Sequence, residues 1–101
     1  MFLILWEFEV KPGYEERFEK VYGPGGDGAK LFRTDSKYRE TRLVRDSFRA
    51  AIYLTVDFWD SRQEYEEFLR KRRAEYAAIE AIGEELKRKE RRMGCFEMVE
   101  D

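Results

Sequence analysis

At 101 residues the chain has the length of one domain, spanning residues 1–101, with room for a modest core that would gain from a partner subunit. Hydrophobic residues make up 43% and aromatic residues 16%, which excludes a disordered chain. Twenty Lys and Arg against 22 Asp and Glu leave a formal net charge of -2, which argues against a nucleic-acid binder, because such proteins carry clustered basic excess.

Phe2 to Val10 reads as a first strand. Phe2, Ile4, Trp6, Phe8 and Val10 alternate onto one apolar face; Leu3, Leu5, Glu7 and Glu9 form the other. Lys11-Pro12-Gly13 breaks the strand, and Tyr14, Phe18, Val21 and Tyr22 follow helical spacing. Gly23-Pro24-Gly25-Gly26-Asp27-Gly28 is a loop, with a helical turn over Ala29 to Arg33. The loop matches G-x-G-x-x-G, but a dinucleotide site needs a strand before it and a long helix after it, so nucleotide binding is rejected.

Tyr38 to Asp46 reads as a second strand and Ala50 to Trp59 as a third, paired as a hairpin through the turn at Ser47 to Arg49. Leu54, Val56 and Phe58 share one face of the third strand, expected against the helices. Tyr53, Thr55, Asp57 and Trp59 share the other. Ser61 with Glu64 fits a capping box that opens a long helical tract. Its apolar stripe loses continuity at Arg70-Lys71-Arg72-Arg73, so two helices or a bend are expected. That basic run reads as a solvated face amid Glu64, Glu66, Glu67 and Glu75. Gly83 weakens the end of the second piece. Lys89 to Val99 reads as the last strand, with Met93 and Cys95 on one face and Gly94, Phe96 and Met98 on the other.

The order strand, helix, strand, strand, helix, strand is the split β-α-β layout. It predicts a ferredoxin-like α+β fold, βαββαβ, with an antiparallel sheet and helices on one side. The second sheet face needs a cover. Trp59, Tyr53, Leu3 and Leu5 are expected on it, so symmetric pairing of two sheets into a homodimer follows.

Lys11-Pro12-Gly13 after the first strand and Asp57-Phe58-Trp59-Asp60-Ser61 after the third resemble the antibiotic biosynthesis monooxygenase domain. Tyr65-Glu66-Glu67-Phe68-Leu69 and Arg92-Met93-Gly94-Cys95-Phe96 extend the resemblance. The segment from Tyr22 to Arg33 is similar to one subgroup of that family. The resemblance covers nearly the whole chain. It implies a dimeric α/β barrel and, for some members, oxidation of phenolic or quinol-like compounds by molecular oxygen without metal or flavin. Other members degrade haem with an asparagine, a tryptophan and a histidine ligand. Trp59 matches that tryptophan, but the chain has no His and no Asn, so haem ligation of that kind is excluded.

Candidate site residues follow. Trp59 would stack on a flat ring, with a plug at the sheet edge or dimer contact as the structural alternative. Tyr53 would orient an oxygen. Asp57 would take a phenolic proton, because burial raises a carboxylate's pKa; an ion pair with Arg42 or Arg91 is its alternative. Glu7 could join Asp57 and share its proton; a paired structural glutamate is its alternative. No cofactor and no metal are expected. Cys95, the only cysteine, reads as a small core residue without histidine activation.

One cysteine fits a reducing, cytoplasmic setting. No apolar run could span a bilayer, and Met1 to Leu5 is too short for a signal core. Abundant Glu, Lys and Arg with no Asn and one Gln resembles a thermophile's surface. The expected function is cofactor-free oxidation of a small aromatic or quinol compound; the alternative is a non-catalytic ligand-binding or structural dimeric domain.

Overall fold

The computed structural model describes residues 1–100, so Asp101 of the expected domain lies outside the described residues. The elements are β1 (Phe2–Val10), α1 (Glu15–Tyr22), α2 (Asp27–Phe32), β2 (Tyr38–Arg45), β3 (Ile52–Trp59), α3 (Arg62–Lys71), α4 (Arg73–Glu84) and β4 (Lys87–Glu97). The strands form one antiparallel sheet in the order β2-β3-β1-β4. This is the expected ferredoxin-like α+β fold, with the helices grouped in the two connections that flank the β2–β3 hairpin.

Local chemistry accounts for the boundaries. Gly13, at φ 88, takes the left-handed turn after β1 that side chains with a Cβ resist. Ser61 Oγ accepts the Glu64 amide at 3.2 Å, as the capping box predicts. The helical tract divides at Arg72, within the basic run. Gly83 has a packing reason. A Cβ there would come within 2.0 Å of Tyr22 Oη, so glycine lets the phenol lie against α4.

Register decides the faces. Phe2 pairs Trp59, Ile4 pairs Asp57, Trp6 pairs Thr55 and Phe8 pairs Tyr53, so all eight point to one side of the sheet. That side carries the helices. Trp59 packs edge-on against Phe32, Tyr38 and Tyr65, and Tyr53 packs on Phe18 of α1. The expected faces of β3 are therefore exchanged. Leu54, Val56 and Phe58 lie with Leu3 and Leu5 on the open face and are half-buried. The exchange follows from β1: its five-residue apolar face demands the helices, and pairing carries Tyr53, Asp57 and Trp59 to the same side.

β4 departs from strict alternation. A register shift between Leu5 and Trp6 places Gly94 opposite Leu5 and Arg92 opposite Trp6, leaving Met93 as an extra residue. Cys95 thus pairs with Ile4 on the helix side, apart from Met93, and is exposed rather than in the core.

The core has two halves. Phe2, Ile4, Phe32, Tyr38, Trp59, Tyr65 and Phe68 form one; Phe8, Val10, Phe18, Tyr53 and Leu86 form the other, and Trp6 packs against both.

Candidate functional site

A pocket opens on the helix side of the sheet, walled by the sheet and by helices α1, α2 and α4. The sheet supplies Trp6, Phe8, Thr41, Thr55, Asp57 and Glu90. The helices supply Val21 and Tyr22 from α1, Gly28, Ala29 and Phe32 from α2, and Tyr76, Ile79 and Glu80 from α4. Its volume, as space open to the centre of a water molecule, is about 40 Å³. Roughly three waters fit such a space. The walls are rings and aliphatic chains; the polar groups are two buried threonines, two phenols and three carboxylates.

Asp57 stands on the pocket floor. It is enclosed by protein on nearly all sides, with a small area open through the pocket. Burial pushes its pKa up from 3.8 to about 6, and the Thr41 hydroxyl bond only partly offsets this. Thr41 Oγ1 donates to Asp57 Oδ1 at 2.6 Å, and Tyr38 Oη donates to Thr41 Oγ1 at 2.7 Å. No guanidinium pairs with Asp57. Arg42 pairs with Glu40 at 3.0 Å and Arg91 with Glu7 at 3.3 Å, and both lie on the open-face register positions of their strands. The ion-pair alternative for Asp57 is corrected accordingly.

The other three candidates lie elsewhere. Glu7 pairs with Leu54 on the open face and meets Arg49 at 3.4 Å and Arg91 at 3.3 Å. The sheet separates it from Asp57, so the two cannot share a proton. Tyr53 donates its hydroxyl to Glu19 Oε2 at 2.6 Å and lies in the second core half, outside the pocket. Burial, then the Glu19 bond, raises its pKa. Trp59 is fully buried and does not line the pocket. It lies between Phe2 and Tyr38 within the sheet, not at an edge, and is a core ring whose Nε1 has no hydrogen-bond partner among the described residues.

At the far end of the pocket is a group that sequence reasoning missed. Lys87 begins β4 and its side chain is 3% exposed. Its ammonium donates to Tyr22 Oη at 2.7 Å and to Glu80 at 3.2 Å, and sits 3.4 Å from Glu90. It also lies 5.2 Å from the Phe8 ring centre and 5.1 Å from that of Tyr22. Burial works against its charge, but Tyr22, Glu80 and Glu90 outweigh burial and hold its pKa above the lysine norm. The Tyr22 phenol is raised, chiefly by burial, against the lowering bond from Lys87. Tyr76 is raised by burial and by the Glu80 charge. Lys87 could have been suspected only from its place beside the apolar Leu86. The strand had been expected to begin two residues later.

Solved structures share this architecture. SnoaB, a cofactor-independent oxygenase from Streptomyces nogalater, matches with a TM-score of 0.71 at 18% identity, over 99% of this chain and 94% of its own. A putative antibiotic biosynthesis monooxygenase from Nitrosomonas europaea matches with a TM-score of 0.74 at 9% identity, over 99% and 100%. One from Deinococcus radiodurans matches with a TM-score of 0.70 at 11% identity, over 100% and 95%. No protein-family model matches the chain, and no curated protein does. The resemblance read from the sequence is therefore borne out in the architecture: this chain has the fold of the antibiotic biosynthesis monooxygenase-type proteins.

Proposed function

We propose that the chain is an antibiotic biosynthesis monooxygenase-like protein that oxidises a small phenol or quinol with molecular oxygen. The observation that carries this reading is Asp57: a carboxylate without a cation, with a pKa near 6, on the floor of a ring-walled pocket. Near neutral pH such a group is ionised often enough to accept a phenolic proton and basic enough to hold it. The phenolate is electron-rich and passes one electron to oxygen. The two radicals then combine at a ring carbon. Loss of water leaves a quinone, with one oxygen atom in the ring product and the other in the water. Trp6, Phe32 and Tyr76 would flank the ring, and Tyr22 would donate toward its oxygen. These replace Trp59 and Tyr53 in the expected roles.

A benzene-sized guest occupies a cavity of about 150 Å³, so entry requires a wall to yield. The six-residue α2, entered through Gly23 to Gly26, is the shortest element in the wall. The small volume favours the second reading, a domain whose pocket holds only water.

The same proposal includes a homodimer. Half-buried Leu3, Leu5, Leu54, Val56 and Phe58, with exposed Val44, Met93 and Phe96, leave the open sheet face too apolar for water. Two such faces can cover each other. No helix among the described residues is long and apolar enough to cross a membrane. A cytoplasmic setting remains part of the proposal.

The test is oxygen uptake by metal-free, flavin-free protein over a panel of phenols and quinols. Uptake that is abolished in Asp57→Asn supports the oxygenase; ring binding without uptake supports the ligand-binding domain.

A further inference from the structure

Three carboxylates, Asp57, Glu80 and Glu90, line the pocket, and no lysine or arginine does. The nearest ammonium, Lys87, is spent on Glu80, Glu90 and Tyr22. With Asp57 ionised the four groups sum to a net charge of about -2, and to about -1 with it protonated, each group counting one unit. The walls around them include the rings of Trp6, Phe8, Tyr22, Phe32 and Tyr76, and a ring face favours positive charge through its quadrupole. Lys87 demonstrates the preference: the fold already holds one ammonium between the Phe8 and Tyr22 rings, against two carboxylates. At the other end, Asp57 has ring neighbours and a threonine but no cation.

We propose that the pocket selects its ring ligand by charge, taking a neutral or amine-bearing ring and refusing one that carries an acid group. This rests on the pocket being the ligand site and narrows the substrate class. An acid substituent would bring a fourth negative charge beside Asp57, Glu80 and Glu90. An amine would find the same partners that Lys87 finds.

Three probes with a common phenol ring isolate the effect: tyramine, 4-ethylphenol and 3-(4-hydroxyphenyl)propionate. Binding is measured by calorimetry on the full chain, in low salt at pH 7.5. Tyramine and ethylphenol should bind, and the acid should bind at least about tenfold more weakly than ethylphenol, as like-charge repulsion in a poorly solvated site requires. Glu90→Gln should narrow that gap, and Glu80→Gln serves in its place where Glu90→Gln unfolds. Gly28→Leu should abolish binding. Gly28 lines the pocket and a Cβ there meets nothing within 4 Å, so a side chain can be added at the wall without a clash at its first atom. Equal affinity for all three probes overturns the charge selection and leaves the pocket as a ligand site. Binding that survives Gly28→Leu, or no binding by any probe, overturns both. The expected order of affinities without oxygen uptake upholds charge selection and removes the oxygenase.

Discussion

Thr41 donates its hydroxyl to Asp57 Oδ1 at 2.6 Å, and among the described residues no guanidinium and no further side chain bonds this carboxylate, in a chain rich in arginine. The two residues face each other across the β2–β3 ladder. Arg42, the next residue of β2, and Arg91 of β4 sit at open-face positions, while Arg45, on the helix side, lies opposite Tyr53 rather than Asp57. A carboxylate held this way keeps a raised pKa, because a hydroxyl bond compensates desolvation far less than a guanidinium does.

The first consequence concerns stability. The folded pKa of Asp57, about 6, lies above its ordinary value of 3.8, so the native state binds this proton more tightly than the unfolded chain. The group's contribution is most favourable below about pH 4 and declines as pH rises to about 6, with no further loss above. Asp57→Asn should leave stability nearly unchanged at pH 4 and raise it at pH 8. About 3 kcal/mol is the upper bound for a shift of this size. Urea unfolding at the two pH values measures it, and a variant less stable than wild type at pH 8 contradicts the assignment.

The second concerns turnover. If Asp57 is the proton acceptor, oxygen uptake should rise with pH through about 6 and level off above 7. Asp57→Asn should lower the rate by about 10²–10⁴ at pH 7.5, the usual contribution of a general base. Stopped-flow or electrode measurements across pH 5 to 8 would show it. A profile without a step near 6 points to another base.

Trp59 and Trp6 should separate cleanly. Trp59→Ala empties the core and should cost about 3–5 kcal/mol. Trp59→Phe should cost less, because it also removes the indole N–H that has no partner. In folded Trp59→Phe, ring affinity should stay within about threefold, roughly 0.6 kcal/mol, since this residue does not line the pocket. Trp6→Phe, altering a wall, should change affinity more than stability. Calorimetric binding beside thermal melts distinguishes the two.

Lys87→Met should destabilise the protein at pH 7 by about 2–3 kcal/mol. That is below the range of about 3–5 kcal/mol for a fully buried pair, because Glu80 and Glu90 are 29% and 32% exposed. The loss should shrink in about 1 M salt, which screens the partly exposed carboxylates from the ammonium. Equal destabilisation at low and high salt would mean that packing, not charge, is what Lys87 contributes.

Light scattering should give the mass of a dimer for the wild type. Val56→Asp, placed in the middle of the open face opposite Leu5, should halve it without changing the fold. A monomeric wild type would leave that apolar face to a different partner.

Much of this molecule was legible in advance. Alternation along β1 and β3, the Ser61 cap and the break at Arg72 follow from local rules that hold wherever these residues occur. Asp57 was also legible as a candidate, since an acid among Val56, Phe58 and Trp59 announces burial. Glu7, another carboxylate on a mixed strand, could be read either as its partner or as a paired structural residue, and its pairing with Arg49 and Arg91 is the second. The difference between them lies in which face each occupies, and a period of two assigns residues to a common face without saying which face is covered.

The sequence by itself determined the element order, the antiparallel ferredoxin-like layout and the sharing of one face by Tyr53, Asp57 and Trp59. These depend on spacing and turn chemistry within short windows. Only the tertiary structure decided that this face lies under the helices, that Trp59 and Tyr53 are core while Asp57 reaches a pocket, and that Lys87 is buried among Tyr22, Glu80 and Glu90. Those outcomes depend on register between strands and on contacts as far apart as Tyr22 and Lys87, where packing energy outweighs local preference.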